Sequence, residues 1–574
     1  MRKSILGFIG AVASALTLAA APAAAQEQGP KPAAHAKKAM VSSNHPLVTK
    51  AMLEVLRKGG NALDAAMVGM VLQTVVEPQM TTLGGAMGFL YYDARSQKYY
   101  YLDGELNHTK ASALVSPGWN HLSSGRGGVS ETSGRLVAVP GMVAGMKAAV
   151  DRFGTLKWAD YFQPAIAAAD KGFPMYSFLY GEMADVALGR LSVYPASRAE
   201  FLPGGYVPPV GTTITRPNLS RTMRRLAAEG PSYFYTGEWA QHFVDAVRSA
   251  GGAMTMEDLS SYKAEWREPV RSTFRGYELI ASPPPATGGT LIEMILNIVE
   301  PWDLKAWPHY SQSADTFQRI RRAFAFAENL TDDYFEDPRA FAVPTDVLLS
   351  KDLARSLTAL IDGSMPVPAG AAAAAPVDPA REQFAANLAD MKRDPHSTDT
   401  DQIVVVDAQG NMISLTHSVN GPTFGIGLVV DGVVTNAGNV YPGKVIGNGI
   451  RTVTPFPPTM VAKDGKPVLT IGSPGLASRA VALTLINYLG YGMSLEAATD
   501  APRFQGAQPS VPATIESRVT DQTRAELTSR YGVSVRTTTP YNWHFGSIHA
   551  IAREADGSLT GVADPRRSGL AAGY

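Results

Sequence analysis

An Ala/Pro-rich run spans residues 366–379, and a strand-like apolar run, Ile403-Val404-Val405-Val406, begins shortly after it. Between them lies Ser397-Thr398-Asp399-Thr400-Asp401-Gln402. The first run has the composition of a linker, and the second is rich in β-branched residues that pack well on a pleated surface. The chain must therefore carry a buried strand whose head, at Thr400, adjoins a loose segment. A cut before Thr400 would make it an N-terminus. Such a residue holds nucleophile and base together: the hydroxyl attacks, and the α-amino group, with an ordinary pKa of about 7.7–8.0, takes the proton.

Helix and strand signals alternate elsewhere. Residues 46–58 are helix-like and stop at Gly59-Gly60, and 61–76 restarts with helical spacing. Residues 88–92 and 98–102 predict a hairpin around Ala94-Arg95-Ser96-Gln97, and 403–407 with 412–417 predict another around Gln409-Gly410-Asn411. Residues 291–299 predict an apolar helix. Helices set apart from antiparallel strands predict an α+β layered fold.

Charge and composition exclude several function classes. The formal net charge is zero and Lys and Arg are scattered, so no basic stripe points to nucleic acid. Residues 1–25 carry Arg2 and Lys3, an apolar core and Ala23-Ala24-Ala25, the pattern of a cleaved secretory signal, so the protein is expected in the periplasm or outside the cell without a stable membrane anchor. There is no cysteine, hence no disulfide and no thiol nucleophile. The ten histidines lack metal-ligand spacing, and no metal or cofactor is expected. The carboxylate cluster of Glu328, Asp332, Asp333 and Asp337 predicts solvated helix-end charges. Leu83-Gly84-Gly85-Ala86-Met87-Gly88 lacks the Gly-Lys-Ser/Thr ending of a phosphate loop and predicts close packing instead.

Five blocks then occur in order: Arg57-Lys58-Gly59-Gly60-Asn61-Ala62-Leu63-Asp64-Ala65-Ala66, Val139-Pro140-Gly141-Met142-Val143-Ala144-Gly145, Pro283-Pro284-Pro285-Ala286-Thr287-Gly288-Gly289, Gly472-Ser473-Pro474-Gly475, and Ala563-Asp564-Pro565-Arg566-Arg567. Together they resemble the γ-glutamyltransferase family of N-terminal-nucleophile hydrolases over nearly the whole mature length. The resemblance implies a four-layer αββα sandwich. It also implies self-cleavage between Asp399 and Thr400 into a large chain, 26–399, and a small catalytic chain, 400–574, which stay together as a heterodimer forming one domain. Thr400 would then attack a small-molecule amide or peptide and form an acyl-enzyme.

By the same resemblance, Ser418 stands where the family has a Thr whose hydroxyl supports the nucleophile, and Asn420 on the Asn that contacts its amino group. Gly475 and Leu476 fall on the two backbone donors of an oxyanion hole, in a segment one residue longer than usual. Asp401 and Gln402 replace the usual residue pattern after the nucleophile, Thr-His.

The acyl pocket departs most. Glu105 occupies the position of an Arg that clamps the glutamyl α-carboxylate, and Thr454-Pro455 replace a pair of Ser with the same task. Asn436-Ala437-Gly438-Asn439-Val440 lacks the Gln and Asp that meet the α-amino group. The expectation is an amidohydrolase or acyltransferase that keeps the Thr400 chemistry and disfavours γ-glutamyl head groups. An ordinary glutathione hydrolase remains an alternative, as does a catalytically retired periplasmic binding protein.

Overall fold

The computed structural model describes residues 28–110, 130–365, 400–440, 449–507 and 511–574. The signal segment, the 366–379 linker and Asp399 lie outside these residues.

Consecutive side chains of a strand point to opposite faces, and in this chain both faces are apolar. Ile403 and Val405 join one core with Ile413 and Leu415, while Val404 and Val406 join another with Met412. Such a strand must be covered on both sides, and that requirement builds the layers. The first sheet runs, edge to edge, Leu570–Gly573, Met40–Ser43, Asp401–Val406, Met412–Ser418, Ala86–Asp93, Lys98–Gly104 and Glu265–Arg267. The second runs Ala34–Ala36, Leu559–Ala563, His549–Arg553, Lys466–Gly472, Thr459–Lys463, Tyr277–Ala281 and Val270–Phe274. Neighbouring strands in both sheets are antiparallel. The sheets share an inner core of Leu90, Tyr101, Val404, Ile280, Met460 and Ile551. Helices cover each outer face, giving four layers, αββα. Burying each of these aliphatic side chains is worth about 1.5–3 kcal/mol.

Local signals fix the helices that frame the site. Helix Ala62–Val76 starts with a reciprocal cap: Asp64 N–H donates to Asn61 Oδ1 (2.9 Å) and Asn61 N–H to Asp64 Oδ2 (3.0 Å). Every residue of this helix is buried. Its end delivers Gln73 and Glu77 to the outer face of the first sheet, behind the head of Asp401–Val406. The expected hairpins form with tight registers, Met412 opposite Val406 and Lys98 opposite Asp93. The glycine-rich segment does serve close packing: a Cβ on Gly85 would stand 2.0 Å from the Ser418 carbonyl oxygen.

One expectation fails. The carboxylates of the 328–337 cluster are not all solvated: Asp337 is buried on the Arg339 guanidinium and accepts from Arg451 N–H (2.7 Å), and Glu328 is buried against Arg479. The segment after helix Ala314–Tyr334 turns inward, and the neighbouring Arg339 and the sequence-distant Arg479 offset the cost of burial.

Candidate active site

Thr400 immediately precedes strand Asp401–Val406, and Ser418 ends the neighbouring strand Met412–Ser418. Both even-numbered side chains point between the sheets, where Thr400 Oγ1 donates to Ser418 Oγ at 3.1 Å. Ser418 Oγ also accepts from Asn420 N–H at 2.9 Å. Asn420 takes a left-handed conformation, φ 48°, which Asn tolerates better than most residues. Its buried Nδ2 has no partner, so a donor stands free beside the hydroxyl pair.

The same face extends sideways. Ser418 pairs with Ala86, and Met87 pairs with Gly104, so Glu105 follows one step beyond Ala86. Two strand spacings separate Ser418 from Glu105, about 10 Å. This row is floored by an apolar cluster of Ala86, Leu106, Ala138, Ala286 and Phe456.

At its far end Glu105 is fully buried and accepts a hydrogen bond from Thr454 through Oε2, while Oε1 has no partner. Burial, then repulsion from Asp103, pushes the Glu105 carboxyl well above the usual range. Its surroundings therefore favour the neutral form. Asp103 behaves oppositely. Against the upward push of burial, Arg451 and Arg267 hold it ionised, with Arg267 Nε at 2.8 Å and Arg451 Nε at 3.1 Å. Both guanidiniums are thereby committed. Pro455 offers its carbonyl to Ser478 Oγ (3.5 Å). Asn436 and Asn439 direct their amides at backbone: Asn436 Nδ2 donates to Gly84 O (2.8 Å) and Ala138 O (2.9 Å), its Oδ1 accepts from Ala138 N–H (2.9 Å), and Asn439 Nδ2 donates to Arg135 O (3.0 Å). These two frame the loop.

Gly475 and Leu476 form the turn between strand Lys466–Gly472 of the second sheet and helix Ala477–Leu485. Gly475 has φ 71°, which glycine adopts without strain. Leu476 is the N-cap without a side-chain cap, so its turn presents backbone N–H groups at a helix N-terminus. Arg567 links this turn to Thr400. Its Nη1 donates to Thr400 O at 3.0 Å, and a methyl group placed on Gly475 would stand 3.7 Å from its Nη2.

Sequence reasoning quoted Arg567 only as part of a family block and gave it no role. It also passed over the layer behind the nucleophile. Asp401 pairs with His417 on the outer face. Burial raises the Glu77 carboxyl to about 7, against the opposing pull of Gln73, Arg567 and the neighbouring Asp401. Gln73 Nε2 donates to Glu77 (2.8 Å), His417 Nε2 meets Gln73 Oε1 (2.9 Å), and His417 Nδ1 meets Thr81 Oγ1 (2.7 Å). Burial lowers His417 to about 3, keeping it neutral. The signal for this layer was two polar residues, Gln73 and Thr74, inside an otherwise apolar helix.

Comparison with known proteins gives the family. Residues 48–574 match the γ-glutamyltranspeptidase family. The chain belongs to that family. It is 30% identical to the glutathione hydrolase proenzyme of Escherichia coli (strain K12), over 94% of this chain and 92% of that protein. It is 31% identical to the acylase ACY 1 proenzyme of Pseudomonas sp. (strain V22), over 94% of each. The crystal structure of cephalosporin acylase from Bacillus halodurans superposes with a TM-score of 0.80 at 25% identity, covering 96% of this chain and 99% of that one. This family member is thus an enzyme of the N-terminal-nucleophile class, acting on amide bonds.

Proposed function

We propose that this protein is an exported, self-processing amidohydrolase or acyltransferase whose acyl pocket takes acyl groups without a glutamyl head. The chain is made as a precursor. The Thr400 hydroxyl attacks the Asp399 carbonyl, the resulting ester hydrolyses, and chains 26–399 and 400–574 stay associated. In the mature enzyme Thr400 Oγ1 attacks the substrate amide while its α-amino group takes the proton. Ser418 Oγ orients the hydroxyl. The amine leaves, and water or a second amine releases the acyl group. The Gly475–Leu476 turn is the candidate donor pair for the oxyanion.

The single observation that carries the specificity is the Glu105–Thr454 contact at the end of the acyl row. A neutral acid next to apolar walls offers no counter-charge to an α-carboxylate, and the two adjacent guanidiniums are tied to Asp103. Charge-assisted contacts are worth about 1.5–3 kcal/mol each, so their loss discriminates strongly. The relatives include both a glutathione hydrolase and an acylase, and the acylase-like reading fits this pocket better.

The test compares γ-glutamyl-p-nitroanilide with pentanoyl-p-nitroanilide, matched in chain length. The expected outcome is a kcat/KM for the pentanoyl compound at least about ten-fold higher. A preference for the γ-glutamyl compound would instead indicate an ordinary glutathione hydrolase.

A further inference from the structure

Loop 564–569 carries the chain from one sheet to the other. Strand Leu559–Ala563 of the second sheet precedes it, and strand Leu570–Gly573 of the first follows. Such a crossover has no ladder to satisfy its backbone carbonyls. Residues 28–31, just ahead of the edge strand Ala34–Ala36, satisfy them instead. Gly29 N–H donates to Pro565 O (2.8 Å), and Gln28 Nε2 more loosely to Arg566 O (3.5 Å). Lys31 Nζ donates to Asp564 O (3.1 Å), Gly569 O (3.1 Å) and Arg567 O.

The lysine and the loop match in number. An ammonium has three donors and no acceptor, and the curl of the loop brings three carbonyls to one point. The Asp564 carboxylate nearby is taken by Arg503 and Arg566, so Lys31 is held by carbonyls and not by an ion pair of its own. Burial lowers the Lys31 ammonium to about 8, against the pull of Asp564. The other titratable groups packed around it are Arg566 and Arg567 of the loop and His549 on the adjoining strand, which burial lowers to about 3 and keeps neutral. Arg567 is the link to the site. Its carbonyl accepts from Lys31, and its Nη1 donates to Thr400 O at 3.0 Å. One residue thus stands between the Lys31 ammonium and the head of the strand that carries Thr400.

We infer that Lys31 is a positioning residue of the catalytic apparatus: by gathering the carbonyls of loop 564–569 it sets Arg567, and through Arg567 the placement of Thr400. This inference rests on the reading of Thr400 as the nucleophile. Lys31 touches no reacting atom. It acts by fixing the geometry of attack, where a misplacement of about 1 Å costs on the order of 10²-fold in rate. Its hold depends on charge. A deprotonated amine keeps two N–H donors and turns a lone pair toward the third carbonyl, so the loop loosens as pH rises through the lysine's lowered value.

The experiment measures kcat and KM of the cut, full-length enzyme on pentanoyl-p-nitroanilide from about pH 6 to about pH 10, with the fold followed by circular dichroism. Wild-type kcat should rise as the Thr400 amine loses its proton and fall above about pH 8 as Lys31 loses its own. Lys31→Met should lower kcat about ten-fold or more and leave KM within about two-fold. Lys31→Arg stays charged throughout; its planar fork should restore part of kcat and remove the alkaline fall. An unchanged kcat in Lys31→Met, or an alkaline fall that Lys31→Arg does not move, overturns the proposal. If both variants remain uncut, the wild-type profile decides: a fall above about pH 8 with the fold intact supports Lys31, and a plateau there overturns it. Failure of processed wild type to cleave the anilide at any pH counts against the amidohydrolase reading instead.

Discussion

The two sides of Thr400 treat their arginines in opposite ways. Beyond Ser418, Arg451 and Arg267 pair with Asp103, and burial pushes the remaining acid, Glu105, toward its neutral form. On the other side, Arg567 is as buried as Arg451 but its Nε and Nη2 have no hydrogen-bond partner. Two buried environments of one chain thus differ: in one the guanidiniums face a carboxylate, in the other the guanidinium lies against the Phe178 and Trp543 rings. Burial alone does not describe an arginine's surroundings; the partners its donors keep must be added.

The largest effect expected is at the nucleophile. Thr400→Ala should leave one uncut chain on a denaturing gel and no measurable amide cleavage. If the purified variant were cut at the same bond, attack by the Thr400 hydroxyl would be wrong, and the asymmetry around it would lose its chemical meaning. Ser418→Ala removes one hydroxyl contact at 3.1 Å from Thr400 Oγ1. A contact of about 1–3 kcal/mol corresponds to a 5- to 150-fold slowing of turnover. Kinetics indistinguishable from wild type would remove Ser418 from the active site.

A smaller effect sharpens the acyl side. Because the Glu105 carboxyl is raised in the folded protein above its unfolded value, the folded state binds the extra proton. Stability therefore falls as pH rises from the unfolded carboxylate pKa, about 4.5, toward the raised value. Glu105→Gln should flatten that part of a denaturation-versus-pH curve. An unchanged slope would mean that Glu105 is already ionised, and the neutral wall would not exist. Both slopes should be measured on cut enzyme, since Glu77, raised to about 7, contributes in the same direction and must be common to both proteins.

The sequence by itself determined much of the frame. The apolar runs at 403–407 and 412–417, stops at Gly59-Gly60 and the helix at 291–299 are local signals, and each appears within a few residues of its expected place. The alternation also carried Thr400, Ser418 and Asn420 toward one site, because even-numbered residues of neighbouring strands share a face. The tertiary structure decided everything that depends on pairing across hundreds of residues. Glu105 meets Thr454, Arg567 meets Thr400, and Glu77 meets Asp401 only after two sheets and their helices close on one another. Charge state and donor satisfaction are properties of those closed surroundings: burial sets the carboxyl of Glu105, and the partners within reach decide which donors of Arg567 are used. A chain read residue by residue shows which groups exist. It does not show which of them remain unpaired once water is gone.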